Sequence, residues 1–221
     1  MILIRYLFGF IFLLGAFSAF LGLLAILPVV SQDWRVFRWF FLGMIVYFGL
    51  MGITHTFFAQ NLKFFRTFTH ELTHTIFTIL SLKRVRAFQA TSHQGGEIHV
   101  VGGGNMLILL SPYCVPIFTI FLLLLMPLLQ SRFAPYLEFG IGLTYLFHLH
   151  NNWLQTSNRQ TDITKYPLFT SYGFIILFHL IFMGVILLSF EDGLRAFLDF
   201  PKIAFRHARQ FLEEFSRSGT N

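Results

Sequence analysis

Six long stretches of apolar residues alternate with short polar segments along this chain. They span residues 6–30, 37–59, 62–82, 105–129, 134–155 and 168–190. A helix needs roughly 20 residues to cross the ~30 Å hydrocarbon core of a bilayer, and every stretch reaches that length. The pattern therefore predicts an all-α integral membrane protein with about six transmembrane helices. The first stretch is too long for a signal peptide, so it predicts an uncleaved membrane helix.

The polar segments predict the remaining elements. Residues 84–105 contain the Gly95-Gly96 turn signal, the alternating run EIHVV and three consecutive glycines, which together predict a short glycine-rich β-like hairpin between helices 3 and 4. Residues 191–221 predict either an amphipathic helix on the membrane surface or a frayed end. We therefore expect a polytopic membrane domain over residues 1–190, with its core at 62–190, followed by this tail.

Composition supports the membrane class and limits the possible partners. The chain is 55% hydrophobic and 12% charged, and it contains 31 phenylalanines. Its net charge of +6 comes mostly from basic residues at the ends of apolar runs. That distribution suits anchoring at a lipid surface better than nucleic-acid binding. The expected partners are the bilayer and a membrane-protein or peptide substrate, with no nucleic acid.

The third apolar stretch contains the polar sequence HELTH, with His70, Glu71 and His74. Histidines four residues apart share one face of a helix, so both rings can bind the same Zn²⁺ ion. Glu71 follows the first histidine, where it can take a proton from a zinc-bound water. A charged residue near the centre of a membrane helix costs about 2.5–3.5 kcal/mol. Zinc binding, at about 10–16 kcal/mol in peptide sites, would compensate for that cost.

A catalytic zinc site needs a third protein ligand, and the residues alone leave several candidates. Glu138 and Asp162 are acidic residues near the ends of predicted membrane helices. His148 and His150 lie at the end of the fifth stretch. Because they are two residues apart on a helix, only one of them could face the ion.

HELTH within a membrane helix, a glycine-containing β-like stretch after it and an aspartate before a later helix resemble the site-2-protease family of intramembrane zinc metallopeptidases. The resemblance covers roughly residues 62–190. It implies that His70, His74 and Asp162 bind zinc and that Glu71 is the general base. The chain departs from the family pattern at Ile163, where the family's aspartate is commonly followed by glycine.

The resemblance also suggests how a substrate would be held. The strand EIHVV resembles the family's membrane-associated β element, which could bind an unwound substrate segment through main-chain hydrogen bonds. Pro112 and Pro116 predict a kink in the fourth helix, or a bend that admits substrate or water. The residues predicted to contact substrate are Gly96, His99, Asn151 and Asn152.

The resulting hypothesis is an intramembrane zinc metalloprotease, multi-pass in the bacterial cytoplasmic membrane, in which Glu71 activates a zinc-bound water. One alternative is a non-proteolytic membrane protein with a structural zinc site, or a pseudo-protease that binds transmembrane segments. Another is a transporter in which His55, His70, Glu71 and His74 relay protons. The identity of the substrate and the oligomeric state are not encoded in any motif.

Overall fold

The structure, a computed structural model, describes residues 2–32, 34–57, 59–91 and 96–218. The long helices are α1 (Ile2–Gln32), α2 (Trp34–Phe57), α3 (Ala59–Leu80), α6 (Ala134–Gln155), α8 (Leu168–Asp192) and α9 (Ala196–Ser218). The shorter helices are α4 (Met106–Leu110), α5 (Ile117–Leu125) and α7 (Thr161–Thr164). Strands β1 (Val85–Ala90) and β2 (Gly96–Val100) lie between α3 and α4. The prediction of a helical chain with a short hairpin after the third helix is confirmed.

The predicted count of six membrane spans is not confirmed. Within the described ranges, Leu3–Gln32 and Leu168–Ser218 are long and apolar enough to cross a membrane. A third span results if Met106–Tyr113 and Ile117–Leu128 count as one. α3 carries Lys63, Arg66 and Glu71 within its 22 residues, a charge content that a lipid-exposed helix would tolerate poorly.

The fourth predicted segment is sharply bent. The helices before and after the break meet at 84°. α4 ends before a 3₁₀ turn at Ser111–Tyr113 that contains Pro112, and α5 begins directly after Pro116. Proline has no N–H to continue a helical hydrogen-bond ladder, so both prolines favour the break. The sequence predicted a kink at this point, and Ile108 of α4 and Tyr113 in the bend contact His74 and His70 of α3.

Helices α2 and α6 pack with their backbones in direct contact. A Cβ atom built on Gly142 would lie 1.9 Å from the carbonyl oxygen of Phe40. A Cβ on Gly43 would lie 2.0 Å from the carbonyl oxygen of Phe139. Small residues at such crossings allow close van der Waals packing in membrane helices. This contact fixes the position of α6, whose C-terminal half borders the site described below.

Residues 196–218 of the tail form helix α9, which packs on α1 and α8. Phe211 makes an edge-to-face contact with Phe17 of α1, with ring centroids 5.4 Å apart. Ala204 packs against Gly22, where a Cβ would lie 2.8 Å from the Ala204 Cα. Phe200 is fully buried against Gly184 of α8. α9 therefore shares a core with α1 and α8.

The hairpin is antiparallel, and Phe88 pairs with Ile98. Val100 ends β2, and the chain then turns through Gly102 and Gly103, whose φ angles are +78° and +74°. Only glycine adopts such angles without strain, which explains why the glycine run ends the strand. Gly95, part of the predicted turn, lies outside the described residues. The hairpin packs against α3 and covers the face that carries HELTH.

Candidate metal centre and active site

The HELTH segment lies in the middle of α3 as a regular helix. His70 and His74 share one face, with ring centroids 4.8 Å apart and nearly perpendicular planes. The neighbouring hydroxyls of Thr73 and Thr78 donate to the carbonyls one turn earlier, at 2.8 Å each. These local bonds satisfy the threonines within the helix. The two imidazoles, in contrast, interact with groups outside α3.

Asp162 reaches the two histidines from the short helix α7. Its Oδ2 atom lies 3.4 Å from Nε2 of His74 and 3.8 Å from Nε2 of His70. The next residue, Ile163, is fully buried, and its carbonyl accepts a 2.8 Å hydrogen bond from Ser171 of α8. Burial and this bond anchor α7 against α8. The anchoring holds the Asp162 carboxylate over the HELTH face.

The geometry of these three residues suits a zinc ion. Their ligand atoms all lie within 4.8 Å of one another, and they form the one group of three histidine, cysteine or acidic residues with such spacing in the described part of the chain. In a tetrahedral site with metal–ligand distances of about 2.0–2.1 Å, donor atoms lie roughly 3.3–3.4 Å apart. The distances from Asp162 to His74 and His70 are close to that spacing. Two imidazoles and a carboxylate are also a ligand set that zinc prefers.

The tautomer of His74 is fixed by a backbone group. Its Nδ1 atom lies 2.7 Å from the carbonyl oxygen of Ile108, so Nδ1–H donates and the Nε2 lone pair faces Asp162. The carbonyl is held in turn because the Asn105 side chain caps α4 and accepts from the Ile108 N–H at 2.8 Å. A main-chain carbonyl carries no sequence signal, so sequence reasoning missed this partner of His74.

The charge of Asp162 also suits cation binding. Burial acts to raise the pKa of this carboxyl, but hydrogen bonds and charge from His70 and His74 outweigh burial and lower the pKa when their Nε2 atoms carry protons. Tyr113 packs edge-to-face on His70, with ring centroids 5.1 Å apart. Tyr113 is fully buried, and its hydroxyl has no hydrogen-bond partner among the described residues. The Asp162 carboxylate, with its side chain 24% exposed, can therefore bind a cation that replaces those Nε2 protons.

Glu71 is buried against the start of β2. A Cβ atom on Gly96 would lie 2.6 Å from Oε1 and 2.4 Å from Cγ of Glu71. Only glycine leaves room for the carboxylate at this point. Glu71 and His70 also line a cavity of about 410 Å³ between α3, β2 and the end of α6. The carboxylate is therefore next to the three-residue group and faces a space that a substrate could enter.

A second cavity, of about 260 Å³, lies along the inner side of β2. His74 and Asp162 line it together with Ile98 and Val100 of the strand. His99 also lines it, although its side chain is mostly exposed and lies 3.3 Å from Glu97. Strand β2 thus runs directly past the group that could hold a metal.

The two predicted asparagines occupy different surroundings. Asn151 is buried, with 7% of its surface exposed, and it lines a small chamber beside His70. Asn152 donates to His179 and accepts a 2.6 Å hydrogen bond from Thr156. Neither asparagine lines the two cavities beside β2.

The other candidates for the third ligand do not converge with His70 and His74. Glu138, His148 and His150 are not in the group of converging ligand atoms found among the described residues. His150 accepts from or donates to the Tyr47 hydroxyl at 2.8 Å, according to its tautomer. The His148 ring packs near His179, with centroids 5.6 Å apart. The side chain of His55 lies outside the described residues.

Fold and site together define a class: a helical integral membrane protein in which two histidines and an aspartate converge beside a buried glutamate. Comparison with family models matches residues 47–200 to the family described as Peptidase M50B-like. This match covers more than half of the chain, which therefore belongs to this peptidase family of the site-2-protease type. Comparisons with curated proteins and with solved structures gave no match.

Proposed function

We propose that this protein is an intramembrane zinc metallopeptidase that hydrolyses peptide bonds of membrane-protein substrates. The observation that carries the proposal is the convergence of His70, His74 and Asp162 within 4.8 Å, next to the buried Glu71. Membership of the Peptidase M50B-like family supports peptidase activity. The apolar helices support a location in a membrane, and we propose the bacterial cytoplasmic membrane.

We assign zinc binding to three residues of the site and general-base catalysis to a fourth. His70, His74 and Asp162 would hold the zinc ion, which when bound polarises a scissile carbonyl and lowers the pKa of a water. Glu71 would take the proton of the attacking water and then give it to the leaving amine nitrogen. Its burial beneath Gly96 limits the positions of the carboxylate, so the base is aligned before substrate arrives.

The hairpin would serve as the docking element for an unwound substrate. Strand β2 pairs with β1 along one edge, and the described residues contain no third strand on its other edge. A substrate segment could add to that edge through main-chain hydrogen bonds and so present an extended peptide bond. The cavity that His74 and Asp162 share with β2 would receive it. The assignment of Gly96, His99, Asn151 and Asn152 to substrate contacts stays a prediction.

The second candidate function is a pseudo-protease or a structural zinc protein. A structural site needs its ligands but has no use for a carboxylate base. The close fit of Glu71 beneath Gly96, at the rim of the 410 Å³ cavity, favours hydrolysis over this alternative.

The proposal is tested with purified full-length protein, a membrane-protein substrate and the variant Glu71→Gln. This change keeps the side-chain size and all three zinc ligands, so we expect about one zinc per chain in both proteins. Cleavage should fall by at least about 100-fold, the lower end of a general base's contribution. Zinc-loaded Glu71→Gln cutting as fast as the parent would exclude the assigned mechanism. Absence of zinc from the parent would exclude the metallopeptidase altogether.

A further inference from the structure

A small chamber lies on the α6 side of His70 and shares Arg66, His70 and Gln155 with the cavity that Glu71 faces. Its volume is about 20 Å³. The residues that line it come from α3, the bend after α4 and the C-terminal half of α6: Arg66, Thr69, His70, Thr73, Pro112, His148, Asn151, Asn152 and Gln155. It is the point where α6 approaches the HELTH face.

Three of the lining residues each carry a buried polar atom without a hydrogen-bond partner in the described part of the chain. These atoms are Nε of Arg66, Nε2 of His148 and Oδ1 of Asn151. His148 and Asn151 are more than nine-tenths buried, at 8% and 7% exposure. Buried polar groups in folded proteins are nearly always satisfied by protein or by ordered water. Because three residues with such atoms line one chamber, we expect a bound molecule there.

The size and chemistry of the chamber select water. A chamber of roughly 10–15 Å³ is large enough for the centre of one water molecule to move in. The volume of about 20 Å³ therefore accommodates one water. Arg66 Nε offers a donor, Asn151 Oδ1 an acceptor, and His148 Nε2 either role according to its tautomer. The Arg66 guanidinium disfavours a cation, and no carboxylate lines the chamber.

The threonines of the chamber complete the environment. The hydroxyl of Thr69 donates to the Phe65 carbonyl at 2.7 Å, and that of Thr73 donates to the Thr69 carbonyl at 2.8 Å. Because both hydroxyl protons already donate to carbonyls of α3, the two threonines could only accept a hydrogen bond from a water. A water held by Arg66, His148 and Asn151 would have three partners, the usual number for a buried water.

We propose that one ordered water occupies this chamber and that His148 and Asn151 hold it there, which braces α6 against the His70 face of α3. The brace makes His148 and Asn151 positioning residues for His70, the zinc ligand that lines the same chamber. This last step rests on the proposed function, whereas the water site itself does not.

The water site is tested on metal-free protein. A high-resolution crystal structure should show density within hydrogen-bond distance of His148 Nε2 and Asn151 Oδ1. The changes in unfolding midpoint for His148→Leu, Asn151→Leu and the double variant should be non-additive, because either single change already removes the shared water. An empty chamber, or midpoint changes that simply add, would overturn the proposal.

The effect on His70 is measured as zinc affinity by chelator competition and as the absorption spectrum of the cobalt-substituted protein. We expect His148→Leu and Asn151→Leu each to weaken zinc binding by about 10-fold, the size of an outer-ligand effect. The double variant should bind no more weakly than the worse single variant, and His148→Gln should recover most of the affinity. His150→Leu is the matched control, since His150 lies on the same helix but bonds to Tyr47.

The outcomes of these experiments distinguish the positioning of His70 from the water site and from zinc binding. If the singles leave both affinity and cobalt spectrum unchanged, His148 and Asn151 do not position His70. If their losses multiply to about 100-fold, they act independently and share no water. A parent that binds no zinc removes the proposed function, but the crystal density and the unfolding cycle still decide the water site.

Discussion

The side chain of Glu71 occupies the space that any residue larger than glycine would need at position 96. The ideal Cβ of residue 96 would lie 2.6 Å from Oε1 of Glu71 and 2.8 Å from its Cδ. Residue 96 begins strand β2, so the position of the hairpin and the position of the glutamate depend on each other. Substitution at 96 therefore tests the role of Glu71 without altering Glu71 itself.

Gly96→Val should displace the Glu71 carboxylate while leaving the three converging ligands intact. A shift of about 1 Å in a reacting group can cost roughly 100-fold in rate, so we expect a loss of that order in kcat. Zinc content should stay at the parent value. Gly49→Ala is the control, because a Cβ there meets nothing within 4 Å. Full activity in Gly96→Val would show that the carboxylate need not lie where the structure has it.

Asp162→Asn should weaken zinc binding strongly, because it replaces an ionised ligand with a neutral amide of the same shape. The loss should exceed the roughly 10–100-fold that removal of an outer partner costs. Glu138→Gln serves as the control, since Glu138 was a candidate ligand in the sequence but is not in the converging group. If Asp162→Asn binds zinc as tightly as the parent and Glu138→Gln binds it more weakly, then Glu138 and not Asp162 is the third ligand.

Asn105→Ala should loosen the support of His74. The substitution removes the cap that accepts from the Ile108 N–H, and such caps contribute about 1 kcal/mol. Because the Ile108 carbonyl holds Nδ1 of His74, zinc affinity should fall together with the free energy of unfolding. Ser31→Ala, which removes an exposed hydroxyl at the end of α1, is the control and should leave zinc affinity unchanged. If Asn105→Ala lowers the stability but leaves zinc affinity unchanged, the Asn105 cap does not support His74.

Gly142→Ala should destabilise the fold, because the new methyl group would lie 1.9 Å from the Phe40 carbonyl oxygen. Overpacking of this kind costs about 1–3 kcal/mol, and backbone atoms cannot move aside as a side chain can. Thermal unfolding in detergent measures the change. Gly140→Ala on the same helix is the control, since its Cβ meets only the end of the Leu122 side chain, at 3.1 Å. Equal melting temperatures for the two variants would show that α2 and α6 are not in such close contact.

The local geometry of the site follows from the sequence. An i, i+4 spacing puts His70 and His74 on one face of any helix, because the backbone repeats every 3.6 residues. The glycine run after Val100 marks the end of the strand, since φ angles near +75° exclude most other residues. Both features depend on neighbouring residues alone, and periodicity is enough to predict them.

The number of membrane spans depends on more than apolar length. The stretch at 62–82 is long enough to span, but in the structure His70 and His74 meet Asp162 and Glu71 packs against the start of β2. The stretch at 105–129 breaks at its prolines into two helices that meet at 84°. Hydropathy averages over both faces of a helix and cannot distinguish these cases.

Local sequence was enough to predict the helical membrane class, the hairpin, the shared face of His70 and His74, and Glu71 directly after His70. Which distant groups meet these side chains depends on the tertiary structure. Asp162 reaches α3 because α7 packs on α8, and the Ile108 carbonyl reaches it next to the bend after α4. The contact between α2 and α6 places His148 and Asn151 beside α3, and the hairpin places Gly96 there. Such contacts join segments far apart in the chain, and no local backbone rule relates them, because they result from the burial of all helices at once.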